Sequence, residues 1–170
     1  MDRLRQIFQP HQFLGEDYIN LYHVYDNLSR TPFIHGIGIQ CEDSDEYIMN
    51  RWHVITPTAM GRHLDWRNRR RTQFVSFYES LQMAQQEQQR RMRQQSVPGV
   101  GDRNPNSVRI AHVRLPRNTN VWAFSRAEML EMMGTFGGDA RLNALRMSDA
   151  DEWFVWGVIP EDLVINRFTL

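Results

Sequence analysis

Asp149-Ala-Asp-Glu152-Trp-Phe-Val-Trp-Gly157-Val-Ile-Pro160-Glu-Asp-Leu-Val164-Ile is the stretch on which the reading of the fold turns. A carboxylate stands at the mouth of an aromatic strand, and a Gly-x-Ile-Pro turn delivers the chain at once into a second apolar strand. The pattern predicts strands over about 152–157 and 163–169, with Glu152 beside a cleft wall. Two earlier segments carry residue types that partner such an acid: Asn20-Leu-Tyr-His23-Val-Tyr and Thr72-Gln-Phe-Val-Ser76-Phe-Tyr78. The three segments form one candidate constellation.

Residues 1–17 mix Gln, Pro and isolated apolar positions without a period and read as an arm on the domain. Asp17 to Tyr25 alternates as a strand does, and so does Thr72 to Tyr78. Thr31-Pro-Phe-Ile-His-Gly-Ile-Gly-Ile is broken by Pro and Gly into a loop or short edge strand. Glu42 to Glu46 is a solvated acidic loop. Thr56-Pro57 is a helix start, Thr as N-cap and Pro at the first helical position, for a helix carrying Ala59, Met60, His63 and Leu64 and ending near Trp66. Glu79 to Gln95 lacks Gly and Pro and reads as a thinly amphipathic surface helix. Ser96 to Ser107, rich in Pro, Gly, Asn and Ser, reads as a mobile loop. Val108 to Leu115 alternates. Ser125-Arg-Ala-Glu128 is a capping box opening a Met- and Leu-rich helix that Gly134 and Gly137-Gly138 stop. Strands at both ends with helices between them define an α+β class.

The 170 residues, 41% of them apolar, can bury one core, so one domain over 1–170 is expected. Acidic and basic residues balance at 20 each, and any electrostatic partner must therefore be met by a local patch. The single cysteine, Cys41, excludes an intramolecular disulfide framework and a Cys-rich zinc site. The six histidines lack the spacing of a metal motif. No apolar run is long enough to span a bilayer and the start lacks a secretory leader, which leads to the expectation of a soluble, cytoplasmic chain, or one already trimmed and of unknown compartment, without a membrane partner. Every basic residue is arginine, and lysine is absent. Arg-favouring codon drift is one reading; loss of ubiquitin acceptor sites, as in a toxin-like effector working in a foreign cytosol, is the other.

Leu21-Tyr-His23, Phe74-Val-Ser76-Phe-Tyr78-Glu-Ser-Leu and Asp151-Glu152 with Gly157-Val-Ile-Pro160 are similar in order and spacing to the motifs of the arginine–serine–glutamate ADP-ribosyltransferases of the cholera-toxin type. That family builds an NAD⁺ cleft from a Leu-Tyr-Arg strand, an aromatic-Val-Ser-Thr-Ser strand and a Glu-x-Glu before a Gly-Gly-Ile-Pro turn. Val108 to Leu115 and then Val121 to Leu130 fall where it has an apolar strand and a short helix. The resemblance implies a split β-sheet core with flanking helices, and NAD⁺ as the substrate. His63-Leu-Asp-Trp66, Phe74-Val-Ser76, Asn120-Val-Trp-Ala-Phe-Ser125 and Val155-Trp-Gly-Val-Ile-Pro160 also resemble an uncharacterised domain of filamentous fungi. The chain departs from the transferase pattern at three places. The arginine falls on His23, the second and third hydroxyls fall on Phe77 and Tyr78, and the first acid falls on Ala150.

Carried over residue by residue, the resemblance implies that Glu152 holds a ribose hydroxyl and stabilises the positive charge that builds as the nicotinamide bond breaks. Ser76 would orient Glu152 by a hydrogen bond, and His23 would donate to a phosphate or ribose oxygen of NAD⁺. Phe77 or Tyr78 would stack on the nicotinamide, only one of them facing the cleft because strand neighbours alternate. The alternatives are a solvated acid, a strand serine bonded to backbone and a packed histidine. Trp153, Phe154 and Trp156 read as core. In the family the first acid helps activate an arginine acceptor, so Ala150 argues against arginine-directed transfer. The expectation is an NAD⁺-consuming mono-ADP-ribosyltransferase or NAD⁺ glycohydrolase, its protein or nucleic-acid acceptor unidentified. The competing reading is a catalytically inactive interaction module, binding through Arg67-Asn-Arg-Arg-Arg71 or the Gln-rich helix.

Overall fold

The computed structural model describes residues 17–44, 56–64, 71–116, 119, 121–134, 145–146 and 148–169. Of the expected arm over 1–17 only Asp17 is described, and Asp45 and Glu46 of the acidic loop, Trp66, Arg67–Arg70 and Gly137-Gly138 lie outside the described residues. The mixture of helices and antiparallel sheets is α+β. Six strands make the main sheet: β1 (Tyr18–Tyr25), β4 (Phe74–Tyr78), β7 (Arg109–Pro116), β8 (Trp122–Ser125), β9 (Glu152–Trp156) and β11 (Val164–Phe168), in the order β11-β7-β1-β4-β9-β8 and antiparallel throughout. A second sheet, in the order β10-β3-β2, joins β2 (Phe33–Ile34), β3 (Gly38–Gln40) and β10 (Val158–Pro160). Among the described residues run the helices α1 (Pro57–Leu64), α2 (Leu81–Arg93) and α3 (Arg126–Met133).

α1 and α3 start where the sequence predicts, whereas α2 starts at Leu81, two residues after the expected Glu79. The Thr56 hydroxyl accepts from the Ala59 N–H at 3.1 Å and Pro57 opens α1. Ser80 caps α2. Both hydrogen bonds of the Ser125–Glu128 capping box are made at α3, which ends at Gly134. These side chains satisfy N–H groups that no helical carbonyl can reach. β8 adds a strand directly before α3.

The alternation of β4 divides the interior. Val75 and Phe77 point to one face, into a core with Leu21, Ile39, Val113, Trp153, Val155 and Ile159 that the second sheet covers. Phe74 points to the other face, among Met60, Leu64, Phe124, Met129, Met133 and Phe154 beneath α1 and α3. Tyr78 shares that face but packs with Val24, Ala84, Val108 and Ile110 beneath α2. Ser76 lies between these two helical covers. β9 is buried along its whole length because its neighbours on both faces are layers of the protein. Trp153 and Trp156 keep their indole N–H groups satisfied on Glu79 at 3.0 Å and Gln73 at 2.7 Å, so the aromatic run is core, as its composition predicts.

Ser96 to Ser107 holds more regular structure than its loop composition suggests. It forms a hairpin of β5 (Ser96–Val97) and β6 (Gly101–Asp102), then a single 3-10 turn over Pro105–Ser107. Pro98-Gly99 occupies the centre of a turn closed by the Val100 N–H on the Val97 carbonyl at 3.0 Å, and Gly99 takes φ 73. Pro followed by a positive-φ Gly is the chemistry of a type II turn. The same residues that suggest a loop therefore build this hairpin.

β3 and β10 meet at Gly38, where a Cβ would lie 2.0 Å from the Ile159 carbonyl oxygen and φ is 109. Gly38→Ala is expected to lower stability by roughly 1–3 kcal/mol, from backbone strain and separated strands. Urea unfolding measures it, and an unchanged midpoint would contradict this account of the second sheet.

Candidate functional site

A cleft of about 420 Å³ opens where α1 and α2 leave β4 uncovered, and His23, His63, Ser76, Tyr78 and Glu152 all line it. The three sequence segments do converge. The reason is register: β4 and β9 pair Tyr78 with Glu152 and Ser76 with Phe154, so Ser76, Tyr78 and Glu152 emerge on one face. Tyr78 is the aromatic of its pair that faces the cleft. Phe77 is fully buried on the opposite face, and its expected place against a nicotinamide is corrected by the pleat.

Glu152 is 1% exposed. Its Oε2 accepts from the Asp149 N–H at 2.9 Å, while Oε1 is buried with no partner among the described residues. Burial pushes its carboxyl up to about 8, the Asp149 N–H opposes this, and the Asp149 and Glu87 charges add to it. The group is an acid held largely neutral at pH 7, with one oxygen unused.

Ser76 does not orient Glu152. Its hydroxyl lies 2.9 Å from His63 Nε2, and His63 Nδ1 lies 2.7 Å from the Thr72 hydroxyl. Hydroxyls both donate and accept, so a neutral ring is satisfied on both sides. Burial drives the His63 pKa down to about 3. His63 is thus a neutral strut from α1 to β4; sequence reasoning placed it on the helix but gave it no role at the site. Its position next to Leu64, in a segment of the fungal resemblance, was the available signal.

His23 is corrected more sharply. It shares parity with Leu21 and Tyr25, so it enters from the side of the second sheet, stacking on Tyr25 at 5.9 Å and tilting against Phe77 at 5.2 Å. β1 and β4 pair only at Tyr22 and Tyr78. Beyond that point the His23 ring spans the gap, with Nδ1 2.8 Å from the Ser76 carbonyl and Nε2 2.7 Å from the Thr31 carbonyl. Both are acceptors, and a neutral ring can donate to only one of them. Burial nevertheless outweighs these carbonyls and lowers the pKa to about 4. Neither nitrogen is left to donate to NAD⁺; the histidine holds the parted strands together.

Arginines crowd the outer part of the cleft. Asp26, in the turn after β1, accepts from the Leu28 N–H at 2.8 Å and from Arg91 Nη1 at 3.2 Å and Arg103 Nε at 3.0 Å. On α2, Glu87 accepts from Arg90 and Arg91; burial pushes its carboxyl up, but the two guanidiniums together hold it below the usual carboxylate range. Arg30, bonded to Glu42 at 2.9 Å, and Arg62 also line the cleft. The sequence offered only the Arg67–Arg71 run as a basic patch, whereas this one is assembled from distant segments. Among the described residues no group of three or more His, Cys, Asp or Glu could hold a metal ion, and no helix is long and apolar enough to cross a membrane.

Fold and cleft define a small α+β domain with a buried acid at the inner end of an arginine-rimmed cleft. Residues 18–170 match the model of a domain of unknown function, DUF7587, and the chain belongs to that family. Neither the curated proteins nor the solved structures give a match.

Glu152→Gln is expected to stabilise the fold. The folded carboxyl titrates at about 8, above its ordinary 4.5, so its stabilising effect is complete below pH 4.5 and is lost as pH rises toward 8. The variant's advantage should be absent near pH 4.5 and reach on the order of 1–3 kcal/mol by pH 8. Urea unfolding at both pH values measures it, and a gain independent of pH would contradict the assignment.

Proposed function

We propose that this protein consumes NAD⁺, as a mono-ADP-ribosyltransferase that is not arginine-directed or as an NAD⁺ glycohydrolase. The observation that carries the reading is the unpartnered Oε1 of Glu152 at the buried end of a cleft whose outer part is cationic. A buried carboxyl oxygen without a partner costs on the order of 1–3 kcal/mol, and a ribose hydroxyl in the cleft would accept from it when protonated and donate to it when ionised. The likeness of the Leu21–His23, Phe74–Tyr78 and Glu152–Pro160 segments to the cholera-toxin-type transferases supports the same placement, with the ADP-ribosyltransferase core as the finer description of the fold.

In this reading the bond between ribose C1′ and the nicotinamide nitrogen breaks, and the electron pair leaves with nicotinamide. The ionised Glu152 faces the cationic ribose that remains, stabilising the transition state more than the ground state. Water, or a nucleophile of the acceptor, then bonds to C1′ and releases a proton. Tyr78 lies beside Glu152 on the same face, where its ring can lie against the nicotinamide. Burial and the Glu87 and Glu152 charges raise its pKa, so the phenol stays neutral. His23, Ser76 and His63 act by fixing the geometry of β1 and β4 around the acid. Ala150, where the family has its first acid, leaves no carboxylate at that position to activate an arginine acceptor.

A second reading, a non-catalytic module that binds a protein or nucleic acid, is favoured by one observation: both nitrogens of His23, the residue at the family's arginine position, are occupied by backbone carbonyls. It predicts no cleavage at all.

The test is nicotinamide release from NAD⁺ by wild type and Glu152→Gln. Wild type should release it, with kcat/KM rising with pH and levelling off above about 8 as Glu152 ionises. Glu152→Gln should lose about a hundredfold or more while staying folded. No release by wild type at high protein concentration would overturn the enzyme reading and leave the binding module.

A further inference from the structure

The turn after β1 orders the outer half of the cleft. His23 stands at the level of Ser76; three residues on, roughly 10 Å away at the rise of an extended chain, is Asp26, and Leu28 follows. At the level of Asp26 two guanidiniums converge. Arg91 uses Nε on Glu87 and Nη1 on Asp26 and Ser29, and Arg103 uses Nε on Asp26 and Nη1 on the Arg91 and Gln94 carbonyls. Among the described residues no protein acceptor stands against Nη2 of either one. At the level of Leu28 the lining turns apolar, with Val97 and Val100 of the β5–β6 hairpin beside it, and Val100 is 43% exposed.

This ledge is held firmly. The Asn27 side chain donates to the Asp102 carbonyl at 3.2 Å and accepts from the Asn104 N–H and the Ser107 hydroxyl, each at 2.9 Å, while the Pro98-Gly99 turn fixes the tip. Leu28, Val97 and Val100 all line the cleft. The sequence of surfaces, from a buried acid to paired guanidiniums to an apolar ledge, follows the order of ribose, diphosphate and second base along a dinucleotide.

We propose that the outer half of the cleft is a nucleotide subsite, in which Arg91 and Arg103 take the diphosphate and the ledge of Leu28, Val97 and Val100 covers the face of the purine base. The inference deepens the NAD⁺ reading and rests on it for the orientation of the ligand. Guanidinium pairs suit phosphate oxygens because their N–H groups fork toward two acceptors. An aliphatic ledge holds a base by its face and excludes water from the neighbouring phosphate contacts.

The experiment is calorimetric titration with ADP, NAD⁺ and nicotinamide mononucleotide, using wild type, Val100→Asp and Val100→Leu. The Val100 side chain is exposed, so both variants should melt as wild type does. Val100→Asp should weaken ADP and NAD⁺ about tenfold, by removing apolar cover and placing a like charge near the diphosphate, and leave nicotinamide mononucleotide unchanged; Val100→Leu should hold all three within about twofold. ADP binding that ignores Val100→Asp, or no ADP binding by wild type, would overturn the subsite. Glu152-dependent nicotinamide release that is equally indifferent to Val100→Asp would overturn the subsite while keeping the NAD⁺ reading. Val100-sensitive ADP binding without any cleavage of NAD⁺ would support the subsite and remove that reading.

Discussion

β4 is a short strand, yet both layers of the molecule depend on its alternation. Val75 and Phe77 anchor the second sheet, Phe74 anchors α1 and α3, and Tyr78 anchors α2. Because the side-chain period is two, Ser76 must face the helices, between the two helical covers, where His63 of α1 bonds its hydroxyl. A one-residue slip would put Phe77 in the cleft and Ser76 in the core with the second sheet. The parting of β1 from β4 beyond Tyr22 and Tyr78 completes the opening, and His23 bridges the parted backbones with its ring.

That opening gives Glu152 its character. An acid on a surface strand would be ionised and solvated; here the strand is buried on both faces, and the same burial that raises the carboxyl to about 8 leaves Oε1 without a hydrogen-bond partner among the described residues. The arrangement trades stability for a site, since a glutamine or a well-packed apolar residue would satisfy the fold at lower cost. The arginines show the complementary logic. Asp26 and Glu87 each hold two guanidiniums, which keeps Arg91 and Arg103 in place while leaving them hydrogen-bonding capacity for an anion.

Much of this was legible in the chain because it is local. The alternation of Tyr18–Tyr25 and Arg109–Pro116, the Thr56-Pro57 start and the Ser125–Glu128 box each depend on neighbours within a few residues, and each stands where the sequence puts it. Convergence of the segments of His23, Ser76 and Glu152 was also legible, from their order and spacing. The roles of individual side chains were not. Whether His23 faces the cleft or the second sheet depends on which face of β1 the second sheet covers. The partner of Ser76 depends on how α1 docks across the sheet, and nothing near Ser76 in sequence announces His63. The Pro, Gly and Asn content of Ser96–Ser107 signals turns and loops alike, and only the partners of Asn27 and Arg103 decide that it becomes a ledge on the cleft.

A calorimetric titration of the wild-type protein with NAD⁺ at neutral pH decides whether the cleft takes the dinucleotide. One NAD⁺ per chain, bound with a Kd at or below the order of 1 mM, is the predicted result, since substrate sites are commonly tuned to that range or tighter. No heat of binding at millimolar NAD⁺ would contradict the account, because a preformed cleft ending in an unpartnered acid would then have another ligand or none.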